Sequence, residues 1–518
     1  MACVNQIVPA LAGSRGALEV PRNGALTRRS FPEVAGDVAR AVAFFRSLGL
    51  AAGERVGFLG ANCYEWIVAD LAGVALGLVA VPFEQNERRD LKELAATYEL
   101  KILLTDRPEG VASGGVARPF GAVAQSAGVV ERVTAHRYSP EETFAIKFTS
   151  GSTHEPKALA AKAKSVDDSI ASVQELFHHH SKDRVLVFLP LQLLQQRYWI
   201  YSAILFEFDV IVVSAAHALG VMTTARPTVI MGVPGFFEAL RESFVRDNQR
   251  TRYTRALFTA YRLLNRWSGS GLSRITGFPR FKRRLGGQVR YLWTGSAPAS
   301  EQSLGFFQEM GVPLLQGYGM NELCIVSKNT LQHHKLGSVG RLLPNKEVRI
   351  GTDGEILVRN VYEVADRYLR CAPGESELTF LPDGFVATGD LGYLDADGFL
   401  YITGRRKDLI VLSNGKKLDP NRIEQPIRSS GLVECCLAYA TPAQRIALLV
   451  KRRPETDPAE IEALVGTVNE SFATEERIAA IHEIPEAFTV ENGLLTSQFK
   501  LKRQSILDRY VTPERARR

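Results

Sequence analysis

The sequence lacks a long uncharged apolar run, which excludes a membrane-spanning helix. Its two most apolar stretches, residues 67–83 and 199–213, contain Asp70 in the first and Glu207 with Asp209 in the second. A spanning helix needs roughly 18 or more residues without such charges. The opening segment MACVNQIVPALAG has no basic residue before its short apolar run, so a secretory signal is not expected.

Cysteine is also scarce. The six cysteines include no CxxC pair and no metal-finger spacing, which argues against a disulfide framework and is typical of a reducing cytoplasm. The histidine run at residues 178–180 is compatible with a metal site, but adjacent histidines in a polar stretch more often form a solvated surface. A cytoplasmic protein without a structural metal is therefore expected.

Acidic residues are nearly absent from residues 246–284, where eleven Arg or Lys accompany one acid, Asp247. Six aromatic residues interleave with them, and Phe244 lies just before the segment. One interpretation is a helical excursion with a solvated basic face. A second is peripheral contact with anionic lipid at the inner face of the membrane, where each basic residue contributes about 1 kcal/mol. Nucleic acid could use the same charge, but no recognisable RNA- or DNA-binding module accompanies it, so no nucleic-acid partner is expected.

Length and periodicity indicate an α/β protein of more than one domain. A chain of 518 residues exceeds one ordinary core. Short β-rich runs such as RVGFLG, VAVPF, DVIVVS and VRYLWTG alternate with helical patterns such as CYEWIVADLAGVALG. This alternation predicts β-sheets covered by helices.

The pattern changes after about residue 340 to short strands with Asp-Gly turns, and a helical portion is expected after SNGKKLDPNRIE. We therefore predict a large N-terminal body of helix-covered β-sheets with a small β-structure portion, residues 1–404. A small mobile α+β C-terminal domain, residues 405–518, should follow it.

The segment FTSGSTHEPKAL, residues 148–159, has the composition of a phosphate-binding loop. A Walker loop needs glycine before its lysine, but Pro156 precedes Lys157 and Ala158 follows it, so that interpretation fails. What remains is a strand leading into a Ser/Gly/Thr turn whose hydroxyls and amides can surround phosphates, with Lys157 as the counter-charge.

This loop and four further motifs resemble the adenylate-forming superfamily of acyl-CoA synthetases, luciferases and adenylation domains. The other motifs are TGSAPAS, QGYGMNE, the block VATGDLGYLDADGFLYITGRRKDLIVLSNGKKLDPNRIE, and GLLTSQFKLKR near the end. They occur in the superfamily's order and cover nearly the whole chain. RPTVIMGVPGFFEAL, the basic insert and LTSQFKLKR look more like the long-chain fatty acyl-CoA synthetases, which implies a fatty or fatty-like acid as substrate.

The resemblance implies ATP, Mg²⁺ and CoA as cofactors and co-substrates. A carboxylate is a poor electrophile, and its attack on ATP concentrates negative charge that fixed donors and cations must stabilise. The residues implied to bind the phosphates are Thr149, Ser150, Gly151, Ser152, Thr153 and Lys157. Those implied on the nucleoside side are Gly295, Ser296, Ala297, Gln316, Gly317, Tyr318, Gly319, Asp390 and Arg405.

The catalytic residues implied are Lys500, Glu322 and Asn321, with Glu322 and Thr153 on the metal. Tyr318 would stack on adenine, Asp390 would accept the ribose hydroxyls, and Lys500 would bridge the acid and the α-phosphate. The hinge and thiolation loop would comprise Lys407, Ser413, Asn414 and Gly415. Each role has an ordinary alternative: Asp390 as a turn cap, Glu322 as a helix cap, and Lys500 as an exposed lysine.

Several positions depart from the superfamily pattern. His154 and Ala158 replace loop glycines, Asn321 replaces a threonine, and Leu193 replaces the histidine that long-chain enzymes place in LPLxH. His154 could face solvent, donate to a phosphate or impair the loop, whereas Asn321 can still donate a hydrogen bond.

Three hypotheses follow. The first is a ligase that delivers the acyl group to CoA. The second is the same activation with delivery to an acyl carrier protein's phosphopantetheine or to an amine. The third is a catalytically weak binding protein at a membrane.

Overall fold

The structure, a computed structural model, describes residues 3–22, 24–107, 115–124, 133–149, 157–267, 277–496 and 500–511. Within these ranges, helices that combine the length and the apolar character needed to cross a bilayer are not found.

The strands form five sheets in the described part of the chain. In chain order they are β1 Ala17–Arg22, β2 Ala25–Ser30, β3 Arg55–Leu59, β4 Val79–Pro82, β5 Leu100–Thr105, β6 Ala117–Pro119, β7 Thr143–Thr149, β8 Lys157–Lys162, β9 Arg184–Val187, β10 Asp209–Val212, β11 Val229–Gly232, β12 Tyr291–Thr294, β13 Leu314–Met320, β14 Cys324–Lys328, β15 Arg341–Leu342, β16 Lys346–Ile350, β17 Glu355–Asn360, β18 Val386–Leu394, β19 Leu400–Arg405, β20 Ile410–Val411, β21 Lys417–Leu418, β22 Val433–Ala440, β23 Ile446–Arg452 and β24 Ile478–Glu483.

The α-helices cover the faces of these sheets. In chain order they are α1 Val4–Leu11, α2 Phe31–Ser47, α3 Tyr64–Leu76, α4 Leu91–Thr97, α5 Ala163–Phe177, α6 Leu194–Phe206, α7 Ala215–Ala225, α8 Pro234–Gln249, α9 Arg252–Trp267, α10 Pro279–Arg284, α11 Glu301–Glu309, α12 Glu375–Thr379, α13 Asn421–Ser429, α14 Pro458–Asn469 and α15 Arg503–Tyr510.

Two large sheets share one core. The six-stranded sheet has the order β6-β5-β3-β4-β7-β8 and the nine-stranded sheet the order β15-β14-β13-β12-β11-β9-β10-β1-β2. Their central strands are parallel and buried, which explains their almost continuously apolar sequences. Helices α1, α2, α3, α5 and α6 lie between the sheets and contribute to the core that both sheets bury.

Helix α3 is buried around most of its circumference. Its side chains from Trp66 to Ala75 are buried, and its acidic residue Asp70 accepts a hydrogen bond of 2.7 Å from Arg197 on α6. The helix ends at Gly77, whose φ of +73° is the left-handed conformation that favours glycine.

The remaining sheets are small. Strands β16–β19 form an antiparallel four-stranded sheet that packs near β13 and β14. The chain then passes through a short 3₁₀ turn, Arg406–Asp408, into the β20–β21 hairpin and a three-stranded sheet, β22–β24, covered by α13 and α14.

The predicted architecture, a large sheet-rich body followed by a smaller α+β domain, is confirmed. The expectation of a helical segment after SNGKKLDPNRIE was only partly right, because β22–β24 follow the first helix. The apolar runs CCLAYA and IALLV are short enough to fit either structure, and pairing between them decides in favour of a sheet.

Candidate functional site

The residues predicted to bind the nucleoside lie where β13, β18 and β19 meet. Tyr318 donates a hydrogen bond of 2.7 Å to Oδ2 of Asp390, and Nε of Arg405 donates one of 2.7 Å to Oδ1. Burial and the adjacent Asp390 carboxylate raise the pKa of Tyr318. The structure thus brings together three predicted residues that are far apart in sequence, and it holds Asp390 as a buried carboxylate rather than an exposed turn cap.

Two predicted glycines adjoin an indole ring. A Cβ on Gly295 would lie 2.9 Å from Trp293, and one on Gly317 would lie 2.6 Å from the same ring. Ser296, the residue after Gly295, adopts a φ of +72°. The next residue, Ala297, is exposed. Glycine is required at both positions because a side chain would displace the indole.

Two further residues of the QGYGMNE motif fix the backbone. The buried Gln316 accepts a hydrogen bond of 2.8 Å from the Ala299 amide through Oε1, which ties the TGSAPAS segment to β13. A Cβ on Gly319 would lie 2.2 Å from the carbonyl oxygen of Cys324, so the β13–β14 hairpin closes too tightly for any other residue.

The predicted phosphate loop starts and ends on one antiparallel strand pair. Thr149 ends β7, Lys157 begins β8, and the two residues are paired in the ladder. Ser150, Gly151, Ser152 and Thr153, together with His154, lie outside the described residues. Lys157 forms an ion pair of 3.1 Å with Glu375, and its Nζ lies 5.0 Å from the ring centroid of Tyr368.

The turn after β13 is hydrogen-bonded to β7, the strand that leads into the predicted phosphate loop. Asn321 donates to the Phe148 carbonyl at 2.8 Å, and Lys147 donates to the Asn321 carbonyl at 2.7 Å. Glu322 is buried and accepts a hydrogen bond of 2.6 Å from Tyr368 through Oε1. Glu322 therefore holds a fixed position near the end of β7.

Lys500 lies close enough to Arg405, Asp390 and Glu322 for their charges to affect its pKa. Burial and the nearby Arg405 lower the pKa of Lys500 to about 8, although the Asp390 and Glu322 carboxylates act in the opposite direction. Its backbone is fixed by a hydrogen bond of 3.1 Å to the Thr496 hydroxyl. The C-terminal domain thus presents this lysine to the N-terminal body.

The residue predicted as the hinge and the residues predicted as the thiolation loop lie in different elements of the chain. Lys407 lies in the 3₁₀ turn between the two parts of the chain, and burial and the nearby Arg405 lower its pKa. Ser413, Asn414 and Gly415 form the exposed turn of the β20–β21 hairpin, where Gly415 has a φ of +78°.

The contacts of that hairpin turn stay within the C-terminal domain. Asn414 donates to Glu475 at 3.4 Å, and Lys416 forms an ion pair of 2.8 Å with Glu476. The structure accordingly places Lys500, rather than the hairpin turn, beside Asp390 and Glu322.

The three adjacent histidines do not share one surface. His179 is buried, and its Nε2 lies 2.9 Å from the Tyr291 hydroxyl. Burial and the nearby Lys328 lower the pKa of His179 to about 3. In the described ranges, no cluster of three or more His, Cys, Asp or Glu side chains has the arrangement of a metal site. The interpretation of the whole run as a solvated surface is wrong for this middle histidine.

Sequence reasoning missed three side chains that contact the site: Lys147, Tyr368 and Glu375. Lys147 had a visible signal, because a lysine inside the apolar strand AIKF must find a buried partner. Tyr368 and Glu375 lie between β17 and β18, and only folding brings them to Glu322 and Lys157.

Two family models match this chain in the same order as its two parts. The model described as AMP-binding enzyme matches residues 12–369, and the one described as AMP-binding enzyme C-terminal domain matches residues 407–510. The chain belongs to the AMP-binding enzyme family. The predicted membership in this group is therefore confirmed.

Curated relatives of this AMP-binding enzyme are named as CoA ligases. It is 28% identical over 561 residues to the long-chain-fatty-acid–CoA ligase FadD15 of Mycobacterium bovis, covering 95% of this chain and 92% of that protein. It is 27% identical to the 2-succinylbenzoate–CoA ligase of Listeria monocytogenes, covering 93% and 94% respectively. These names support the predicted acid–thiol ligase class, and they include both fatty and aromatic acids.

Solved structures agree on the fold. ATP-bound MatB from Rhodopseudomonas palustris superposes with a TM-score of 0.78 at 20% identity, over 98% of this chain and 99% of that one. The o-succinylbenzoate CoA synthetase of Bacillus subtilis, in complex with its acyl-adenylate, gives 0.76 at 20% identity over 97% of each chain.

Proposed function

We propose that this enzyme activates a carboxylic acid with ATP and transfers the acyl group to the thiol of CoA. The observation that carries the proposal is the position of Lys500, which comes from the C-terminal domain yet lies within electrostatic reach of Asp390, Arg405 and Glu322. A cation at this point can hold the reacting carboxylate against the α-phosphate, where negative charge develops.

In the first step, a carboxylate oxygen forms a bond to the α-phosphorus of ATP, and the bond from that phosphorus to pyrophosphate breaks. Lys500 would balance the charge of the reacting oxygens. Lys157 and the Ser150–Thr153 loop would hold the departing phosphates. Tyr318 and Asp390 would hold the nucleoside, because each oxygen of the Asp390 carboxylate can accept more than one hydrogen bond.

In the second step, the thiol sulfur bonds to the carbonyl carbon, the bond from that carbon to AMP breaks, and the thiol proton is released to solvent. This step needs an open path for the thiol. We propose that the C-terminal domain rotates about Lys407 to withdraw Lys500 and bring the turn of Ser413, Asn414 and Gly415 to the site. The hairpin turn is exposed in the present arrangement, as this order of events requires.

The residues that would hold Mg²⁺ are Glu322 and Thr153. The hydrogen bond from Tyr368 uses Oε1 of Glu322, so Oε2 is the oxygen that would face a hard cation. When bound, the ion would supply positive charge against the phosphates. The fit rests on one buried, oriented carboxylate in the described part of the site.

A fatty or fatty-like acid is the proposed substrate class. Its support is the named function of the mycobacterial relative together with the motifs that resemble the long-chain branch. Delivery to a carrier protein's phosphopantetheine or to an amine is the alternative acceptor chemistry.

Acid-dependent exchange of pyrophosphate into ATP, measured with a panel of fatty, aromatic and dicarboxylic acids, tests the activation step. We expect exchange with at least one acid, and mass analysis with CoA should then show the thioester. Exchange without a CoA product, but with a product on a carrier protein or an amine, would redirect the second step. Absence of exchange with every acid would contradict the proposal and favour a binding protein.

We also propose peripheral contact with anionic lipid through α9. Apolar side chains on this helix face solvent, with 89% of Trp267 and 76% of Tyr253 exposed, and Leu263 and Leu264 are more than half exposed. Arg255 and Arg262 on the same helix are exposed as well. An exposed apolar face flanked by arginines fits the headgroup region of an anionic bilayer, and the helix is firmly anchored because Tyr261 donates to the Glu309 carbonyl at 2.7 Å.

A further inference from the structure

Lys328, the last residue of β14, is a buried lysine that lacks an acidic neighbour among the described residues. Only 2% of its surface is exposed. Its Nζ lies 3.0 Å from the ring centroid of Phe177 and 4.8 Å from that of Trp293. Over the described ranges, its Nζ has neither a hydrogen-bond acceptor nor an ion-pair partner. An ammonium in such a place costs several kcal/mol, so a stabilising contribution to the fold does not explain it.

Other buried lysines show what a structural lysine looks like in this protein. Lys346 donates to the Leu323 carbonyl at 3.3 Å and lies 4.0 Å from the Asp168 carboxylate. Lys147 donates to the Asn321 carbonyl at 2.7 Å. Lys328 differs from both because its surroundings are aromatic.

Lys328 belongs to the wall of the candidate site. It is paired with Gly317 across the β13–β14 ladder, and side chains of paired residues project from the same face of a sheet. The Trp293 ring that it contacts is also the ring that fills the space beside Gly295 and Gly317. One indole therefore separates the lysine from the two glycines of the proposed nucleotide site.

Two further hydrogen-bonding atoms near Lys328 are buried without partners in the described part of the chain: Nε1 of Trp293 and Nδ1 of His179. Trp293 Nε1 and a protonated Lys328 are donors only. Burying such groups without acceptors costs free energy. A carboxylate at this point would accept hydrogen bonds from both Trp293 Nε1 and a protonated Lys328.

We propose that Lys328 binds a second carboxylate at the far end of the acid substrate. This inference rests on the proposed function, because it concerns the acid that the same site activates. Burial lowers the pKa of Lys328, and an anion beside it would restore its proton and form a charge-assisted hydrogen bond. Within the proposed fatty or fatty-like class, the residue then selects straight-chain acids that carry a second, terminal carboxylate over monocarboxylic acids of the same length.

The distance between the two carboxylates of such a substrate can be estimated from the geometry of β13. The reacting carboxylate would lie near Asn321, four residues beyond Gly317, and β-structure rises about 3.3 Å per residue, which gives about 13 Å. The lysine side chain shortens that distance. The preferred spacer between the two carboxylates is therefore on the order of 10 Å.

The test compares straight-chain dicarboxylic acids of increasing length with monocarboxylic acids of matched length, using pyrophosphate exchange. The wild-type enzyme should prefer a dicarboxylic acid. Lys328→Met should lower kcat/KM for that acid by about tenfold to a hundredfold, the effect of losing a hydrogen bond to a charged group. It should leave or raise kcat/KM for the monocarboxylic acid, so that the preference falls or inverts.

Lys346→Met is the matched control, since it removes another buried lysine from a structural ion pair. It should lower the Tm and leave the acid preference unchanged, whereas Lys328→Met should raise the Tm by removing a buried amine that has no hydrogen-bond acceptor in the described residues. A lower Tm for Lys328→Met would contradict the proposal, because it would reveal a structural partner. Lys328→Gln, which retains a donor without charge, should retain an intermediate preference.

The outcomes separate this inference from the proposed function. Exchange with monocarboxylic acids, at an unchanged ratio in Lys328→Met, would overturn the role of Lys328 while the proposed function stands. Absence of exchange with every acid in the wild-type enzyme would overturn both.

Discussion

The Tyr368 hydroxyl donates a hydrogen bond of 2.6 Å to Oε1 of Glu322, and both side chains are buried. Burial, together with the Glu322 carboxylate, raises the pKa of Tyr368, so the phenol remains a proton donor at neutral pH. The ring of the same tyrosine lies 5.0 Å from Nζ of Lys157. Tyr368 thus positions a proposed metal ligand and a proposed phosphate ligand together.

Tyr368→Phe should weaken magnesium use without unfolding the protein. A hydrogen bond to a charged group is worth about 1.5–3 kcal/mol, so kcat/KM for exchange should fall about tenfold to a hundredfold, and more Mg²⁺ should be needed for half-maximal rate. Tyr393→Phe, at a half-exposed tyrosine stacked on Tyr401, should change neither quantity. An unaltered magnesium dependence in Tyr368→Phe would remove the positioning role.

Lys500→Ala should abolish exchange yet still convert supplied acyl-adenylate to thioester. The expected loss of exchange is about a hundredfold to a thousandfold, as for removal of one group that stabilises transition-state charge. Lys502→Ala, two residues away, is the control and should retain exchange. Equal loss of both half-reactions in Lys500→Ala would contradict the assignment of this lysine to the first step alone.

The pH dependence of exchange should report the same residue. The pKa of Lys500 is lowered to about 8, so its ammonium is present below that pH and is lost as pH rises through it. Exchange should therefore decline on the alkaline side of about 8. In Lys500→Arg, whose guanidinium stays charged, the residual activity should lack this decline, and persistence of the same alkaline limb would assign it to another group.

Lys407→Pro should have the opposite effect on the two steps. Proline fixes φ near −65°, so the turn at Arg406–Asp408 could not absorb the change needed for domain rotation. We expect near-normal exchange with failed transfer from supplied acyl-adenylate to CoA. Retained transfer would show that the hinge lies elsewhere.

Asp70→Ala should strongly destabilise the N-terminal body. Arg197 is fully buried, and removing its partner leaves an uncompensated charge, which typically costs about 3–5 kcal/mol. Urea unfolding should show a lower midpoint. Asp383→Ala, which breaks the exposed pair with Arg349, should leave the midpoint unchanged, since exposed ion pairs contribute little. Equal effects of the two substitutions would contradict this ranking.

Binding to anionic vesicles should depend on both charge and the apolar face of α9. Salt should weaken it, because exposed charges are screened over about 10 Å at 0.1 M. Trp267→Ala combined with Leu263→Ser should weaken binding further, while Leu331→Ser, at an exposed leucine elsewhere, serves as the control. Equal binding to neutral and anionic vesicles, or none to either, would leave α9 as a solvated helix.

The sequence by itself determined the fold class and the positions of the motifs. Strands such as β3, β10 and β12 and helix α3 were predicted correctly because their apolar character and their length are local properties. The motif residues Tyr318, Asp390 and Lys500 were also identifiable locally, since their neighbours in sequence carry the resemblance.

Only the tertiary structure decided which side chains meet. Tyr368 contacts Glu322 across 46 positions of the chain, His179 is buried against Tyr291, and pairing between β22, β23 and β24 forms the sheet of the α+β domain. Likewise, neither the motif QGYGMNE nor the sequence of the strand that follows it indicates that Lys328 is buried without an acidic partner. The physical reason is that burial and partnership depend on residues brought together by chain crossovers, which local periodicity does not encode.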